Sequence, residues 1–167
     1  ARAVATSYTS GPRRLEVREG LDLEVRAGEA VSLVGDSGVG KSTLMHVLGG
    51  LDPPDRGVVA FRGTPVYGGP ADALARYRNR SVGFVFQFHH LLPEFTAFEN
   101  VVMPFRVGRV EPDVARIREL FDRLGLAERT THFPSQLSGG EQQRVAIVRA
   151  VAPRPAIVLA DAPTGNL

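Results

Sequence analysis

Apolar and polar positions change rhythm several times along these 167 residues, and each rhythm predicts an element. Residues 1–6 read as a short edge strand. Residues 21–25 set Leu21, Leu23 and Val25 against Asp22 and Glu24, the alternation of a half-buried strand. Between them Tyr8-Thr9-Ser10-Gly11-Pro12 reads as a turn. The apolar run over residues 30–34 predicts a buried strand, and Leu44, Val47, Leu48 and Leu51 follow at helical spacing. Gly49-Gly50 and Asp52-Pro53-Pro54-Asp55 end that helix. Residues 58–61 and 65–67 suggest one hairpin, residues 71–78 a short helix, and residues 81–86 another buried strand ending at Gln87.

From there the character changes. Residues 89–104 form a mixed apolar segment broken by prolines. Residues 113–124 place Val114, Ile117, Phe121 and Leu124 on one helical face, and 126–132 reads as a short helical stretch or loop. Helical periodicity therefore dominates from 96 to 132. Ser138-Gly139-Gly140 then opens a helix with Val145, Val148 and Val151 on one side, which Pro153 and Pro155 stop. Residues 156–161 make an apolar strand that ends in a carboxylate, Asp161.

The chemistry starts at Gly35-Asp36-Ser37-Gly38-Val39-Gly40-Lys41-Ser42-Thr43, which fits G-x-x-x-x-G-K-[ST] between the predicted strand and helix. Glycines let backbone N–H groups turn in on a polyphosphate, and the helix N-terminus adds its positive end. Lys41 can reach the β- and γ-phosphates, and the Ser42 hydroxyl can ligate Mg²⁺. Lys41 is also the chain's one lysine beside 19 arginines. A compact ammonium stands where a planar guanidinium would not fit among phosphates.

Such a loop needs a second metal anchor, and an apolar strand ending in aspartate supplies it; residues 157–159 are expected to lie buried beside the P-loop strand, with Asp161 emerging at the sheet's C-terminal edge. Ser138-Gly139-Gly140 is a second anion-binding nest at a helix start. One nucleotide does not need two cradles from one small domain, so the second is read as covering the γ-phosphate held by another copy. Ser138 caps its helix in either case.

Composition narrows the alternatives. The chain is 43% hydrophobic and 23% charged, which makes it globular. Its net charge is +2 with no basic block or basic–aromatic interleaving, so nucleic acid is not an expected partner. No apolar run approaches the ~18 residues of a membrane span. Without cysteine there is no disulfide framework and no thiol chemistry. The last residues close no element, and the chain is expected to be cut at its C-terminus.

Tyr8, the P-loop, Gln87, Leu137-Ser138-Gly139-Gly140-Glu141 and Asp161 stand in the order seen in ABC transporter ATP-binding subunits, which the chain resembles over nearly its whole length. Two stretches, residues 87–101 with the His89-His90 pair and residues 159–167, are similar to the ATPase of the bacterial lipoprotein-releasing system (the LolD type). The macrolide-export and cell-division branches share much of this pattern. The resemblance implies an α/β fold: a P-loop NTPase (RecA-like) parallel sheet core with an antiparallel β subdomain over 1–87 and 134–167, and a helical subdomain over 88–133. It implies ATP and Mg²⁺ as cofactors, with Tyr8 stacked on adenine and residues 35–43 on the phosphates. Ser42, Gln87 and Asp161 would hold the metal, Gln87 touching it or the attacking water. Ser138, Gly139, Gly140 and Glu141 would form the signature turn that meets the partner's ATP.

A second copy and integral membrane permease subunits are the implied partners, at the cytoplasmic face of the bacterial inner membrane. The segment after Gln87 would meet a permease helix, and the histidines would serve packing or that contact. The sequence departs from the family at Ala162, where a glutamate should act as general base beside the catalytic Lys41 and Gln87. A methyl group cannot polarise water, so the resemblance implies an ATPase that binds normally and hydrolyses slowly. The alternative it leaves is an ATP-gated dimerising regulatory module.

Overall fold

Residues 13–21 alternate Leu15 and Val17 with Arg14, Glu16 and Arg18, a strand pattern that gives the N-terminal segment a partner along its length. β1 (Arg2–Ser10) accordingly lies between β2 (Arg13–Leu21) and β3 (Arg56–Val58), antiparallel to both. The computed structural model describes residues 1–10, 13–36 and 39–161, and in 6–10 and 13–19 the backbone alone. β1 is thus a central strand and not an edge, and it runs on through Tyr8, opposite Leu15, instead of turning there.

β2 ends at Leu21, so residues 21–25 do not form a strand of their own. Asp22 Oδ1 accepts the Ala3 amide at 2.7 Å and withdraws that donor from the ladder. Only Leu23 stays paired, exchanging hydrogen bonds of 3.1 and 2.8 Å with Ala1. Residues 30–34 also depart from expectation. They form no strand, and Val31 and Val34 are 46% and 87% exposed. A fully apolar strand needs a neighbour on each side and cover on both faces. Among the described residues no strand pairs with this run.

α1 (Lys41–Leu48) buries Val47 against Val4, Val59 and Val66. Two tyrosines secure its far end. The Tyr67 hydroxyl donates to the Val47 carbonyl at 2.6 Å and the Tyr77 hydroxyl to that of Leu48 at 2.8 Å. These are carbonyls that a helix C-terminus leaves without internal partners. Burial pushes the Tyr77 hydroxyl up to about 12, so it remains a donor. β4 (Ala60–Phe61) and β5 (Thr64–Pro65) form the expected hairpin, and α2 (Ala71–Ser81) runs three residues beyond its predicted end.

The chain divides into two compact units, Ala1–Tyr77 and Arg78–Leu167. In the second, β6 (Val82–Val85) pairs in parallel with β7 (Ile157–Ala160). The crossover between them carries α3 (Ala97–Gly108), α4 (Val114–Arg123), two 3₁₀ turns (Ala127–Arg129 and Pro134–Gln136) and α5 (Gly139–Val151). β7 is less buried than its apolar run implies: Leu159 is buried, but Val158 is 46% exposed. Each strand face is covered only where a neighbour stands over it.

α3 also corrects the expectation that prolines break residues 89–104, because it runs through Pro104. The proline forfeits one helix hydrogen bond. Burial of Val101, Val102 and Phe105 on the same helix, and a capping box between Thr96 and Glu99, offset that loss. The predicted face of α4 is real: Ile117 and Phe121 are fully buried with Val101, Leu126, Val145 and Val148, while Val114 stays half-exposed.

Gly83 sets how closely β6 approaches α5. A Cβ there would lie 2.3 Å from the Ala150 carbonyl oxygen and 3.0 Å from Pro155 Cγ. Because the obstacle is backbone, relief requires the strand and helix to separate. Gly83→Ala is expected to cost about 1–3 kcal/mol of stability, read as a lowered urea midpoint; an unchanged midpoint would contradict this packing.

Candidate functional site

The P-loop turn owes its shape to Gly40, the N-cap of α1, at φ 91° and ψ 20°. That left-handed conformation suits glycine, which has no Cβ to clash. A glycine cap also brings no side chain to the first-turn amides, and α1 has neither a side-chain cap bond nor an acidic residue in its first turn. Its first helix hydrogen bond is Leu44 N–H to Gly40 O at 2.9 Å, so the amides of Lys41, Ser42 and Thr43 precede the internal ladder. The Lys41 ammonium donates to the carbonyls of Gly35 and Asp36, both at 2.7 Å, and folds its positive charge over the loop. Ser42 is exposed beside it. The result is a cluster of donors with positive potential, suited to an oxyanion of high charge.

The second nest is built differently. Ser138 caps α5, its Oγ accepting the Glu141 amide at 3.2 Å, while Glu141 Oε2 accepts the Ser138 amide at 2.8 Å. This is a complete capping box. Arg129 Nε adds a hydrogen bond of 2.8 Å to Glu141 Oε1. The Ser138 amide first, and then Arg129, hold the Glu141 carboxyl down to about 2. Gly139 has open space where a Cβ would point, so this tip presents backbone to its surroundings.

Asp161 follows β7 and donates its amide to the Val85 carbonyl at 2.8 Å. It therefore stands at the carboxyl end of the parallel pair, the same end at which Gln87 follows β6, and that edge is where open α/β sheets place ligands. The segment after Gln87 is fastened to α5. The Arg149 guanidinium donates to the carbonyls of His89 and His90 at 2.7 and 2.6 Å, and the His89 ring bonds Gln143 Oε1. His90 meets the Phe86 ring edge-on at 5.2 Å. His89 thus packs within this unit, while His90 is exposed and touches it through that ring contact. Beside them a cleft of 370 Å³ is lined by Phe84, Phe86, His90, Leu92 and Val107, and Phe88 is 72% exposed.

The P-loop residues belong to the first unit; Gln87, Asp161 and the 138–141 turn belong to the second. Ser37, Gly38, the Tyr8 side chain and Ala162 lie outside the described residues. Three contributors carry no motif. Arg149 looks like any surface arginine, yet it is half-buried, and that desolvation pushes its guanidinium down. Asn100, 1% exposed, fixes the loop before α3 by accepting from Leu92 N–H and donating to Leu92, Phe95 and Thr96 carbonyls. Arg129 is the third.

A family model described as ABC transporter matches residues 18–165. The lipoprotein-releasing system ATP-binding protein LolD of Geobacter metallireducens is 56% identical over 96% of this chain and 72% of its own length. That of Pseudomonas fluorescens is 51% identical over 99% and 74%. Among solved structures, a dimeric post-hydrolysis state of the ATP-binding cassette MJ0796 bound to ADP and Pi superposes with a TM-score of 0.89 at 38% identity, covering 98% of this chain and 73% of that one. The shared architecture is the α/β P-loop cassette.

The Glu141 carboxyl, lowered on folding from 4.5 to about 2, contributes stability that is present above pH 4.5 and lost as pH falls toward 2. Glu141→Gln should therefore flatten the fall of the unfolding midpoint across that window. An acid limb identical to the wild type's would remove Glu141 from the accounting.

Proposed function

The chain belongs to the ABC transporter family of ATP-binding subunits, and we propose that it binds Mg-ATP for a bacterial lipoprotein-releasing exporter. The observation that carries the nucleotide reading is the start of α1: a left-handed glycine cap, no carboxylate in the first turn, and Lys41 drawn over the loop. The names of the 51–56% identical relatives support the cargo class.

Backbone groups of residues 35–43 would take the phosphates and Tyr8 the adenine. Ser42, Gln87 and Asp161 offer only oxygen ligands, the donor set that suits Mg²⁺. Bound there, the ion would supply positive charge that offsets that of the phosphates. Ser138, Gly139, Gly140 and Glu141 would close over the ATP of a second copy, a reading supported by the dimeric cassettes that share this fold. The helical subdomain at 88–133 and the segment after Gln87 would receive a helix of the permease. The apolar cleft and the exposed Phe88 ring support that contact. Among the described residues no helix is long and apolar enough to cross a membrane. Attachment to the cytoplasmic face of the inner membrane would then come through those permease subunits.

Ala162 stands where the family's general base would be. No phosphate- or metal-binding position is altered, so binding persists while proton removal from the attacking water is lost. The same residue supports a second reading, an ATP-gated dimerising module of the cell-division or macrolide-export branch. Dimerisation without phosphate release, in the absence of any lipoprotein-export permease, would favour it.

Calorimetry on the full-length protein should show heat of Mg-ATP binding that Lys41→Ala abolishes; no heat from the wild type would end the nucleotide reading. In the same protein Ala162→Glu should raise phosphate release by about 10²–10⁴-fold, the range typical of a general base. An equal rate in both proteins would mean that position 162 does not limit turnover.

A further inference from the structure

We propose that Arg129 is a positioning residue for ATP-driven pairing of two copies: it cancels the charge of Glu141 at the tip that receives the partner's phosphate. The inference rests on the reading above, in which the 138–141 turn covers the nucleotide of a second copy.

The geometry contains a conflict and its resolution. A carboxylate in the first turn suits an isolated helix, because it offsets the positive end of the dipole. The same carboxylate opposes an arriving polyphosphate. Glu141 holds both roles at once: its Oε2 completes the capping box that shapes the tip, and its charge sits in the turn the phosphate must approach. Arg129 Nε takes the other oxygen, Oε1, at 2.8 Å. The side chains are 18% exposed for Glu141 and 41% for Arg129, so water screens this pair less than a fully open one.

The capping box does not itself call for an arginine. Thr96 and Glu99 form the same box at the start of α3, and among the described residues Glu99 forms no ion pair, Arg106 acting on it only from a distance. The added cation is found at the helix whose tip is a glycine nest. Its delivery is also firm. The Ala127–Arg129 turn follows the fully buried Leu126, and the next residues are tied to α3 by Phe98 N–H to Thr130 O at 2.9 Å and Ala97 N–H to His132 O at 2.8 Å. Arg129 thus approaches Glu141 from a braced connection.

The test measures ATP-dependent dimerisation of the full-length protein by sedimentation, with ATP affinity of the dilute monomer measured alongside. Arg129→Gln should weaken dimerisation about tenfold, the effect of one uncompensated charge near a phosphate at intermediate dielectric, and high salt should shrink the difference. Adding Glu141→Gln, which keeps an oxygen for the capping box and removes the charge, should restore dimerisation to within about threefold. Arg129→Lys should remain near wild type, and monomer ATP affinity should stay the same throughout. If Arg129→Gln dimerises normally, or the double variant is as weak as the single one, charge cancellation is wrong. A wild type that binds ATP yet never dimerises would instead overturn the parent reading, and this inference with it.

Discussion

A helix begins with amides that its own turns cannot satisfy, and this chain resolves that constraint in two opposite ways. α3 and α5 satisfy theirs internally, with Thr96 and Glu99 in one and Ser138 and Glu141 in the other. Among the described residues α1 has no such box: its cap is a glycine in a left-handed conformation, and no carboxylate sits in its first turn. The amides of Lys41, Ser42 and Thr43 therefore precede the helix ladder, and the lysine ammonium lies folded over the loop beside them. Much of the first unit supports this arrangement from the other end of the same helix. Val47 is fully buried, and Tyr67 and Tyr77 take the closing carbonyls, so α1 is fixed at the end away from its open start.

The second unit depends on α5 in a comparable way. Its start carries the serine–glycine tip, its middle bonds His89 through Gln143, and its last turns hold the His89 and His90 carbonyls through Arg149. Gly83 lets β6 press against the same helix at Ala150. The segment after Gln87 and the tip at Ser138 are thus attached to one rigid element. A displacement of either is met by the same helix, because a packed helix moves as a body more readily than it deforms.

What could be read from the residues followed how local the cause was. The α5 cap, the α4 face and the β4–β5 hairpin are encoded within a few consecutive positions, and the structure carries each of them, as it does the described end of the P-loop at Gly40 and Lys41. The misread elements depend on partners elsewhere. The run at 30–34 is apolar because it suits burial between neighbours, and no run can show whether those neighbours are present. The turn expected from Tyr8 to Pro12 cut β1 short, and the next strand was expected at 21–25 instead of 13–21, because Gly11-Pro12 is a strong local signal, whereas the pairing of Tyr8 with Leu15 is a property of two segments. Arg129, Arg149 and Asn100 are invisible for the same reason. Each is an ordinary polar residue until the fold sets a specific carbonyl or carboxylate before it.

The difference between the two nests also orders their roles. At α1 the amides of Lys41, Ser42 and Thr43 precede the helix ladder beside the Lys41 ammonium, with no acid in the first turn, a donor set suited to a polyphosphate. At α5 the Glu141 amide is already taken by Ser138 Oγ, leaving the amides of Gly139 and Gly140 beside a neutralised carboxylate. Two neutral donors and a hydroxyl are a weak trap for a free anion in water, where every hydrogen bond gained replaces one lost. They become effective only when the anion is already held and partly dehydrated by another loop. On the proposed reading the first nest would be the binding site and the second its cover, which would make nucleotide the condition for two copies to meet and not a consequence of their meeting.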